Sequence, residues 1–410
     1  MESRRRFLQT SAVAAVVSKT VLGANDRIRM ALIGTGGRGV LVQALFRKHP
    51  DCEFVAACDV RKSRLDDAVQ KMGGKVDAYS DYRRVLERKD VDAVLVATPD
   101  HWHSRMTVDA CAAGKDVYVE KPVSNMIEAG LRMVEAARKY NRVVQVGVQQ
   151  RSGAHFQEAA KIVQEGALGQ VTHALLLYGG STTRQPDPVT TPPPDLDWEM
   201  FQGPAPRRPY RASREMNWRS YYDYGGGLVT DWGVHLTDVA HWYLNSNTKG
   251  PLLSSASAQY VNVQNPEQDQ PPDAFICSWK YEKFVMSFTN AVVPNPEWAL
   301  EGSYFYGPKG VLHIHRKGYR VLPQGGGRRA AETQAAPPLQ AQTVPVKQDY
   351  QNDPDTTAHA RNFLECVKSR QRPIADIEIG FNSTLPCLLA LLAIQQGRSF
   401  TWDGKVAKPA

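Results

Sequence analysis

A short apolar strand that runs into a glycine-rich turn constrains the fold of this 410-residue chain more than any other feature. The run Ile28 to Ile33 leads directly into the sequence Gly-Thr-Gly-Gly-Arg-Gly, and a helical pattern follows. Glycines at its first, third and sixth positions allow a tight turn, close approach of a pyrophosphate, and close packing of helix on strand. This turn therefore predicts a dinucleotide site at a helix N-terminus, and its predicted cofactor-binding residues are Gly34, Gly36, Gly37, Arg38 and Gly39.

A second apolar run, residues 53–58, ends at Asp59, twenty positions after Gly39. A carboxylate at this place accepts hydrogen bonds from the adenosine ribose of NAD. The cations that follow, Arg61, Lys62 and Arg64, would suit the 2'-phosphate of NADP or form a solvated helix face. A strand–helix turn in which Asp59 only caps a helix is the structural alternative. We predict NAD as the cofactor, with NADP left open.

The periodicity divides the chain into two domains. From residue 28 to about 148, short apolar runs alternate with helical patterns, which predicts a doubly wound parallel sheet of the Rossmann type; its strands are expected at 28–33, 53–58, 93–97, 116–119 and 143–148. A second α/β domain with a large, mostly antiparallel open sheet is predicted from further strands at 171–178, 256–262, 273–281, 284–291 and 303–307. Residues 323–347 are expected to form a long mobile loop, and helices are expected at 355–370 and 380–396. The predicted division is 1–24, 25–150 and 151–410.

The first 24 residues have the form of a twin-arginine export signal. Arg4, Arg5 and Arg6 precede Phe-Leu, a short apolar region follows, and small residues lead to a cleavage point near Ala24. The apolar region is too short to span a bilayer. We therefore expect recognition by the twin-arginine export machinery, a periplasmic or otherwise exported protein, and no stable membrane insertion after cleavage. A basic N-terminus with accidental arginines is the alternative.

Composition excludes several functional classes. The net charge is +8, but the basic residues are spread along the chain without the lysine–arginine blocks that nucleic-acid binding needs. The six cysteines form no C-x-x-C pair and mostly lie in apolar runs, which predicts buried free thiols. The histidines at 101, 103, 235 and 241 have no metal-binding spacing, so no metal is expected.

Two loops after predicted strands carry groups suited to chemistry. Residues 98–103 (Thr-Pro-Asp-His-Trp-His) follow the third strand, and Glu120-Lys121-Pro122 follows the fourth. Because the carboxyl ends of parallel strands face the cofactor, Lys121 could donate a hydrogen bond or a proton to a substrate hydroxyl. Without that context, Lys121 would be read as a surface lysine.

Further along the chain, Asp231 and His235 are four residues apart and would share one face of a helix. A histidine held by a carboxylate is a general base for a hydroxyl proton. A capping aspartate beside a structural histidine fits the spacing equally well.

These motifs in order, G-T-G-G-R-G, T-P-D-H-W-H, E-K-P and D-W-G-V-H, resemble the glucose–fructose oxidoreductase, inositol dehydrogenase and MocA (Gfo/Idh/MocA) family over nearly the whole chain after residue 24. The resemblance implies a Rossmann domain followed by an α/β domain whose open sheet often forms oligomer contacts, and hence a homo-oligomer, a dimer or a tetramer. It also implies that Lys121 polarises the reacting hydroxyl, that His235 is the general acid/base, and that Asp231 assists it or binds substrate.

The resemblance further assigns residues to the two halves of the site. The nicotinamide side is expected to be lined by Thr98, Pro99, Trp102, His103, Glu120 and Gln149. Arg219, Tyr222 and Tyr224 are expected to contact a sugar, because guanidinium and phenol groups suit hydroxyl-rich ligands, although a packing role is equally open.

The sequence thus predicts an exported NAD(P)-dependent oxidoreductase acting on a secondary hydroxyl of a sugar, cyclitol or glycoside. Because a periplasmic enzyme has no ready supply of soluble NAD, the cofactor is expected to stay tightly bound. One alternative is an NAD-dependent glycoside hydrolase that works by transient oxidation at C3 and elimination; an intact Lys121 favours the dehydrogenase. The other is a non-catalytic sugar-binding or sensor protein of the same fold.

Overall fold

The computed structural model describes residues 27–291, 301–324 and 339–410, and its first part forms a six-stranded parallel sheet. The strands are β1 (Ile28–Ile33), β2 (Cys52–Cys58), β3 (Asp77–Tyr79), β4 (Ala93–Val96), β5 (Asp116–Val119) and β6 (Val144–Val146). Their order is β3-β2-β1-β4-β5-β6, so the direction of winding reverses between β1 and β4. That reversal is typical of a Rossmann domain, and the predicted doubly wound sheet is confirmed.

Helices cover both faces of this sheet. They are α1 (Gly37–Phe46), α2 (Lys62–Lys71), α3 (Tyr82–Leu86), α4 (Asp100–Ala112) and α5 (Ile127–Lys139). Every side chain of β4 and β5 is buried, as is nearly every one of β1. Strands covered on both faces need continuous apolar residues, which is why these runs show no alternation.

The second part forms a ten-stranded sheet in the order β14-β13-β12-β11-β7-β10-β9-β8-β15-β16. Its strands are β7 (His173–Leu177), β8 (Leu253–Gln259), β9 (Ala274–Lys280), β10 (Val285–Thr289), β11 (Gly302–Gly307), β12 (Gly310–His315), β13 (Gly318–Pro323), β14 (Gln342–Pro345), β15 (Phe400–Trp402) and β16 (Ala407–Pro409). Among the described strands of this sheet only β7 and β10 pair in parallel, so the prediction of a mostly antiparallel sheet is confirmed.

One face of the second sheet is covered by helices. The helices of this part are α6 (Ala154–Gln164), α7 (Trp198–Gln202), α8 (Ala212–Met216), α9 (Gly227–Asp231), α10 (Gly233–Tyr243), α11 (Pro354–Ser369) and α12 (Ile377–Gln396). Along β9, Phe275, Cys277 and Trp279 are buried whereas Ile276 is 56% exposed. Trp279 Nε1 donates a hydrogen bond to the carbonyl of Pro386 in α12, at 2.8 Å. Although α12 is long and apolar enough to cross a membrane, 78% of its apolar window is buried in the protein, as in a core helix.

Helix α11, near the end of the chain, packs against the first domain, which the predicted boundary at residue 150 did not anticipate. Phe363 of α11 packs edge to face against Phe46 and Tyr118, with ring centroids 5.9 Å apart in both pairs. Asp51 accepts from Arg361 at 2.7 Å and from Lys368 at 2.6 Å. Helix α11 therefore completes the core of the Rossmann domain.

Three further predictions concern the loop at 323–347, the leader and the cysteines. The expected loop at 323–347 contains strand β14, and residues 325–338 of it lie outside the described residues, as does the predicted leader at 1–24. All six cysteines are buried and free, which confirms that prediction.

Replacing Phe363 with alanine should lower the free energy of unfolding by about 3–5 kcal/mol, because it removes a fully buried ring and leaves a cavity. Chemical denaturation followed by circular dichroism measures this. Tyr350→Ala, at an aromatic that is 63% exposed just before α11, should stay within about 0.5 kcal/mol of the wild type. Equal stability of the two variants would show that α11 does not support the first domain.

Candidate active site

The glycine turn has the geometry that a dinucleotide requires. Gly34 has a φ of +94°, and a Cβ on Gly39 would lie 2.1 Å from the Gly34 carbonyl oxygen. A Cβ on Gly36 or Gly37 would meet nothing within 4 Å. Helix α1 begins at Gly37 with no side chain capping it, so its first N–H groups are free to bind phosphate oxygens. The turn thus fits a pyrophosphate by shape and by donors.

A cavity of about 360 Å³ opens at the carboxyl edge of the parallel sheet, between β1 and β4. Ligands of doubly wound proteins bind at this reversal point. The predicted site residues that line the cavity are Gly34, Gly36, Gly37, Arg38, Asp59, Thr98, Pro99, Trp102, His103, Glu120, Lys121, Gln149, Arg219, Asp231 and His235. Gly39 lies beneath the turn, where it permits packing.

Asp59 ties the second strand to the glycine turn. Its Oδ2 accepts from the Thr35 backbone N–H at 2.7 Å and from the Thr35 hydroxyl at 2.9 Å, while Oδ1 accepts from the Arg61 N–H at 2.9 Å. The carboxylate also lines the cavity. It therefore shapes the turn, and its predicted contact with a ribose stays a prediction.

The basic cluster after Asp59 is already paired. Glu215, whose side chain is wholly buried, lies 2.5 Å from Arg61 and 3.2 Å from Arg64. Lys62 pairs with Asp66 on its own helix at 2.5 Å. These contacts neutralise the cations that a 2'-phosphate would have used.

A segment of the second domain, residues 195–224, lies over this cavity, and we call it the covering segment. The Asp197 N–H donates to the Val60 carbonyl at 3.0 Å, and the Lys62 N–H donates to the Asp195 carbonyl at 2.8 Å. Trp102 Nε1 donates to the Phe201 carbonyl at 2.9 Å. The sequence did not predict how this segment docks, because no local pattern indicates contacts with residues about a hundred or more positions away.

The predicted reactive lysine lies where the two domains meet. Lys121 Nζ donates to the backbone carbonyl of Asp231 at 2.6 Å and to its Oδ1 at 2.7 Å, and Arg219 Nε reaches the same Oδ1 at 2.9 Å. Burial alone would raise the pKa of Asp231, but the two cations lower it to about 2. Two of the three ammonium hydrogens of Lys121 are used, which leaves one for a substrate oxygen.

His235 does not form the predicted dyad with Asp231. Trp232 separates helix α9, which ends at Asp231, from helix α10, which carries His235. The described contacts of the Asp231 carboxylate go to Lys121 and Arg219. Burial, followed by the charges of Lys121, Arg316 and Arg38, holds the pKa of His235 well below its usual value. The imidazole is therefore neutral at pH 7 and can accept a proton without a carboxylate partner.

His103 holds the two reactive loops together. Its Nδ1 lies 2.7 Å from the Pro122 carbonyl oxygen and its Nε2 lies 2.9 Å from that of Thr98. Burial lowers the pKa of the ring. His103 thus fixes the loop that carries Lys121 against the loop that carries Thr98, while also lining the cavity.

Asp100 also lines the cavity, although the sequence analysis assigned it no role. Burial raises its pKa to about 8 against the opposing charges of Arg219 and Lys121. It therefore carries a proton at neutral pH. Its place in the T-P-D-H-W-H loop, among four predicted cofactor residues, was the available signal.

The two tyrosines predicted to contact a sugar lie elsewhere. Tyr224 is fully buried and packs edge to face against Phe201, with centroids 5.7 Å apart. Tyr222 lines a second cavity on the far side of α4 with Leu388 and Leu391. The packing alternative holds at Tyr224, and the prediction is corrected at both positions.

Three buried polar atoms along the cavity have no partner among the described residues: Arg38 Nη2, Gln149 Oε1 and His235 Nδ1. Buried polar groups are normally hydrogen-bonded, so atoms left unpaired beside a cavity indicate a ligand. Arg38 is positioned by Glu120, which accepts from its Nε at 2.9 Å. Together with the glycine turn, these atoms fit a nicotinamide dinucleotide. Across the described part of the chain, no three metal-ligating side chains converge.

Comparison with known proteins agrees with this geometry. Residues 28–148 match the oxidoreductase family with an NAD-binding Rossmann fold, and residues 154–320 match the C-terminal α/β domain of the same family. The chain belongs to the Gfo/Idh/MocA oxidoreductase family.

Individual relatives are distant. Myo-inositol 2-dehydrogenase of Thermotoga maritima is 27% identical over 54% of this chain and 56% of its own length. A glycosyl hydrolase family 109 protein of Shewanella is 29% identical over 41% of this chain and 40% of its own. The chain thus aligns with less than two thirds of either relative. A solved aldose–aldose oxidoreductase of Caulobacter crescentus, complexed with glycerol, has the same fold, with a TM-score of 0.65 and 21% identity over 92% of this chain and 100% of its own.

Replacing Gly36 with alanine should weaken NAD binding to the apoprotein at least about tenfold, because the added methyl group projects towards the predicted pyrophosphate position. Its φ is ordinary, so thermal stability should not change. Gly39→Ala is the contrast, since its methyl group meets the backbone and should lower stability as well. Titration calorimetry and thermal unfolding measure the two effects, and undiminished NAD binding by Gly36→Ala would place the pyrophosphate elsewhere.

Proposed function

We propose that this protein is an exported NAD-dependent oxidoreductase that acts on a secondary hydroxyl of a sugar, cyclitol or glycoside. The observation that carries the proposal is the convergence of Lys121 and His235 in one cavity with the open N-terminus of α1. The names of the Thermotoga and Caulobacter relatives support polyols and aldoses as the substrate class.

The residues have distinct tasks in such a reaction. When bound, the nicotinamide supplies hydride transfer to and from the substrate carbon. Neutral His235 accepts the hydroxyl proton, and the free hydrogen of the Lys121 ammonium binds the same oxygen. Asp231 orients Lys121 through the 2.7 Å contact. Arg38 and Gln149 bind polar atoms of the cofactor or substrate with the groups they leave unpaired.

The pairing of Glu215 with Arg61 and Arg64 favours NAD over NADP. A 2'-phosphate would have to displace a buried carboxylate from two guanidinium groups, and breaking a buried ion pair is costly. Binding of the ribose hydroxyls of NAD would leave these ion pairs intact.

We also propose that the cofactor is bound before export and stays bound. The twin-arginine form of residues 1–24 supports export of a folded protein. The covering segment supports retention, since it crosses the cavity and is anchored to the first domain at Val60, Lys62 and Trp102. We expect a dimer or tetramer joined through the open face of the second sheet, where Ile276 and Val285 are exposed.

The redox glycosidase remains the second candidate, supported by the glycosyl hydrolase family 109 relative. Such an enzyme oxidises the sugar transiently, eliminates the aglycone, adds water to the resulting double bond and reduces the ketone. The presence of Lys121, held by its ion pair with Asp231, favours the dehydrogenase over the glycosidase. A non-catalytic sugar sensor is less favoured, because His235 and Lys121 both line the cavity, where an acid–base pair can reach a substrate.

Denaturing the purified protein should release about one NAD per chain, and polyols added to the intact protein should reduce that nucleotide. Chromatography of the released nucleotide and its absorbance before and after addition measure both results. Protein free of nucleotide, which also loses added NAD on dialysis, would contradict cofactor retention. Release of aglycone from a chromogenic glycoside without net NADH would select the glycosidase.

Replacing His235 with asparagine should lower the rate of nicotinamide reduction by about 100- to 10,000-fold, because the proton acceptor is lost. The bound nucleotide should remain. Rapid-mixing absorbance and nucleotide content measure these effects. His173→Asn, at a half-buried histidine of β7, is the matched control and should leave the rate unchanged. An unchanged rate in His235→Asn would remove His235 from the mechanism.

A further inference from the structure

Arg316 lines the active-site cavity, and no described carboxylate pairs with its positive charge. It lines the same cavity as Lys121 and His235, and its guanidinium carbon lies 4.5 Å from the centre of the Trp232 ring. Within the described part of the chain, its side chain makes no hydrogen bond or ion pair. No pattern in the sequence had singled it out.

The backbone holds Arg316 in place. It is one of two residues in the tight turn between β12 and β13, where His315 pairs with Gly318. The Val346 N–H donates to the Lys317 carbonyl at 2.9 Å, which fixes the turn from outside. Trp232 is itself fixed, since it stacks on Tyr178 with centroids 3.6 Å apart. The guanidinium therefore rests on a rigid platform.

The other cations near the proposed substrate position have carboxylate partners, whereas Arg316 has none in the described part of the chain. Asp231 balances part of the charge of Lys121 and Arg219, and Glu120 pairs with Arg38. The carboxylates of Asp353 and Asp355 act on Arg316 from beyond ion-pair distance.

A surplus cation here is costly to the free protein. Burial and the charge of Arg38 lower the pKa of Arg316, although a guanidinium remains charged at any physiological pH. Partly desolvated charges without a counter-ion are expensive, and a ligand anion would remove the cost.

We propose that Arg316 recognises a carboxylate on the substrate, so that the enzyme acts on an acidic sugar such as a uronate or an aldonate. This inference rests on the proposed oxidation of a sugar hydroxyl. The guanidinium carbon lies over the Trp232 ring, and the edge of the group makes no hydrogen bond within the described part of the chain. That edge carries paired N–H groups whose spacing matches the two oxygens of a carboxylate.

The position of Arg316 favours the substrate over the cofactor as the source of the anion. The pyrophosphate is expected at the N-terminus of α1, whereas Arg316 stands against Trp232, three residues before the proposed base His235. An acid group bound there would hold the sugar by one end while a hydroxyl reaches His235 and Lys121.

The test uses the nucleotide-loaded protein and matched probe pairs: glucuronate with glucose, galacturonate with galactose, and gluconate with sorbitol. Tryptophan fluorescence measures the dissociation constants, and nicotinamide absorbance measures turnover. At least one acidic member should bind about tenfold or more tightly than its neutral congener. Arg316→Gln should abolish that preference, and Arg316→Lys, which keeps the charge but loses the paired donors, should retain part of it. Both should keep the bound nucleotide.

Lys317→Gln is the matched control, since it removes an exposed cation from the same turn and should leave the preference unchanged. Equal binding within every pair, a preference that survives in Arg316→Gln, or loss of the nucleotide in that variant would overturn the inference. Tighter binding of glucose 6-phosphate than of every carboxylate would overturn it too, in favour of a phosphate. Oxidation of neutral sugars without acid preference would leave the proposed function intact, whereas selective acid binding without nicotinamide reduction would contradict only the proposed function.

Discussion

The contact between Lys121 and Asp231 is the interaction on which the active site depends. Lys121 follows a strand of the first sheet and Asp231 ends a helix of the second domain, so this ion pair joins the two halves at the site. The same contact keeps the carboxylate ionised, gives Arg219 its partner and places a positive charge near His235. Loss of the carboxylate would leave the largely buried Lys121 unpaired beside a second cation, Arg219, which proteins tolerate poorly. The way the two domains meet at the site and the charges around His235 thus both depend on this ion pair.

Features that depend on neighbouring residues could be predicted from the sequence. The glycine turn and the continuous apolar strands such as β4 follow from local geometry and burial, and the structure has them where expected. The short strands β14, β15 and β16 could not be predicted, because three or four residues carry no readable periodicity. Helix α11 was recognisable as a helix, yet its docking depends on Phe46 and Tyr118, more than two hundred positions away.

The same distinction applies to the site. Residues after strands, such as Thr98 and Lys121, were found because a parallel sheet directs its carboxyl ends to one place. Tyr222 and Tyr224 were misassigned, because a phenol suits a sugar and a hydrophobic core equally well. Glu215 and Arg316 were missed because their meaning depends on partners: one carboxylate is paired across domains, and one guanidinium is left without a partner among the described residues. Pairing of this kind exists only in three dimensions.

The docking of α11 on the first domain has a consequence for the order of synthesis. The first 150 residues leave the ribosome with Phe46 and Tyr118 lacking the ring that covers them, since Phe363 is made more than two hundred residues later. Contacts so distant in sequence form late. The nucleotide-binding domain therefore acquires its full core only when the chain is nearly complete, and a nascent chain stalled before α11 exposes an apolar surface of the kind that chaperones and proteases recognise.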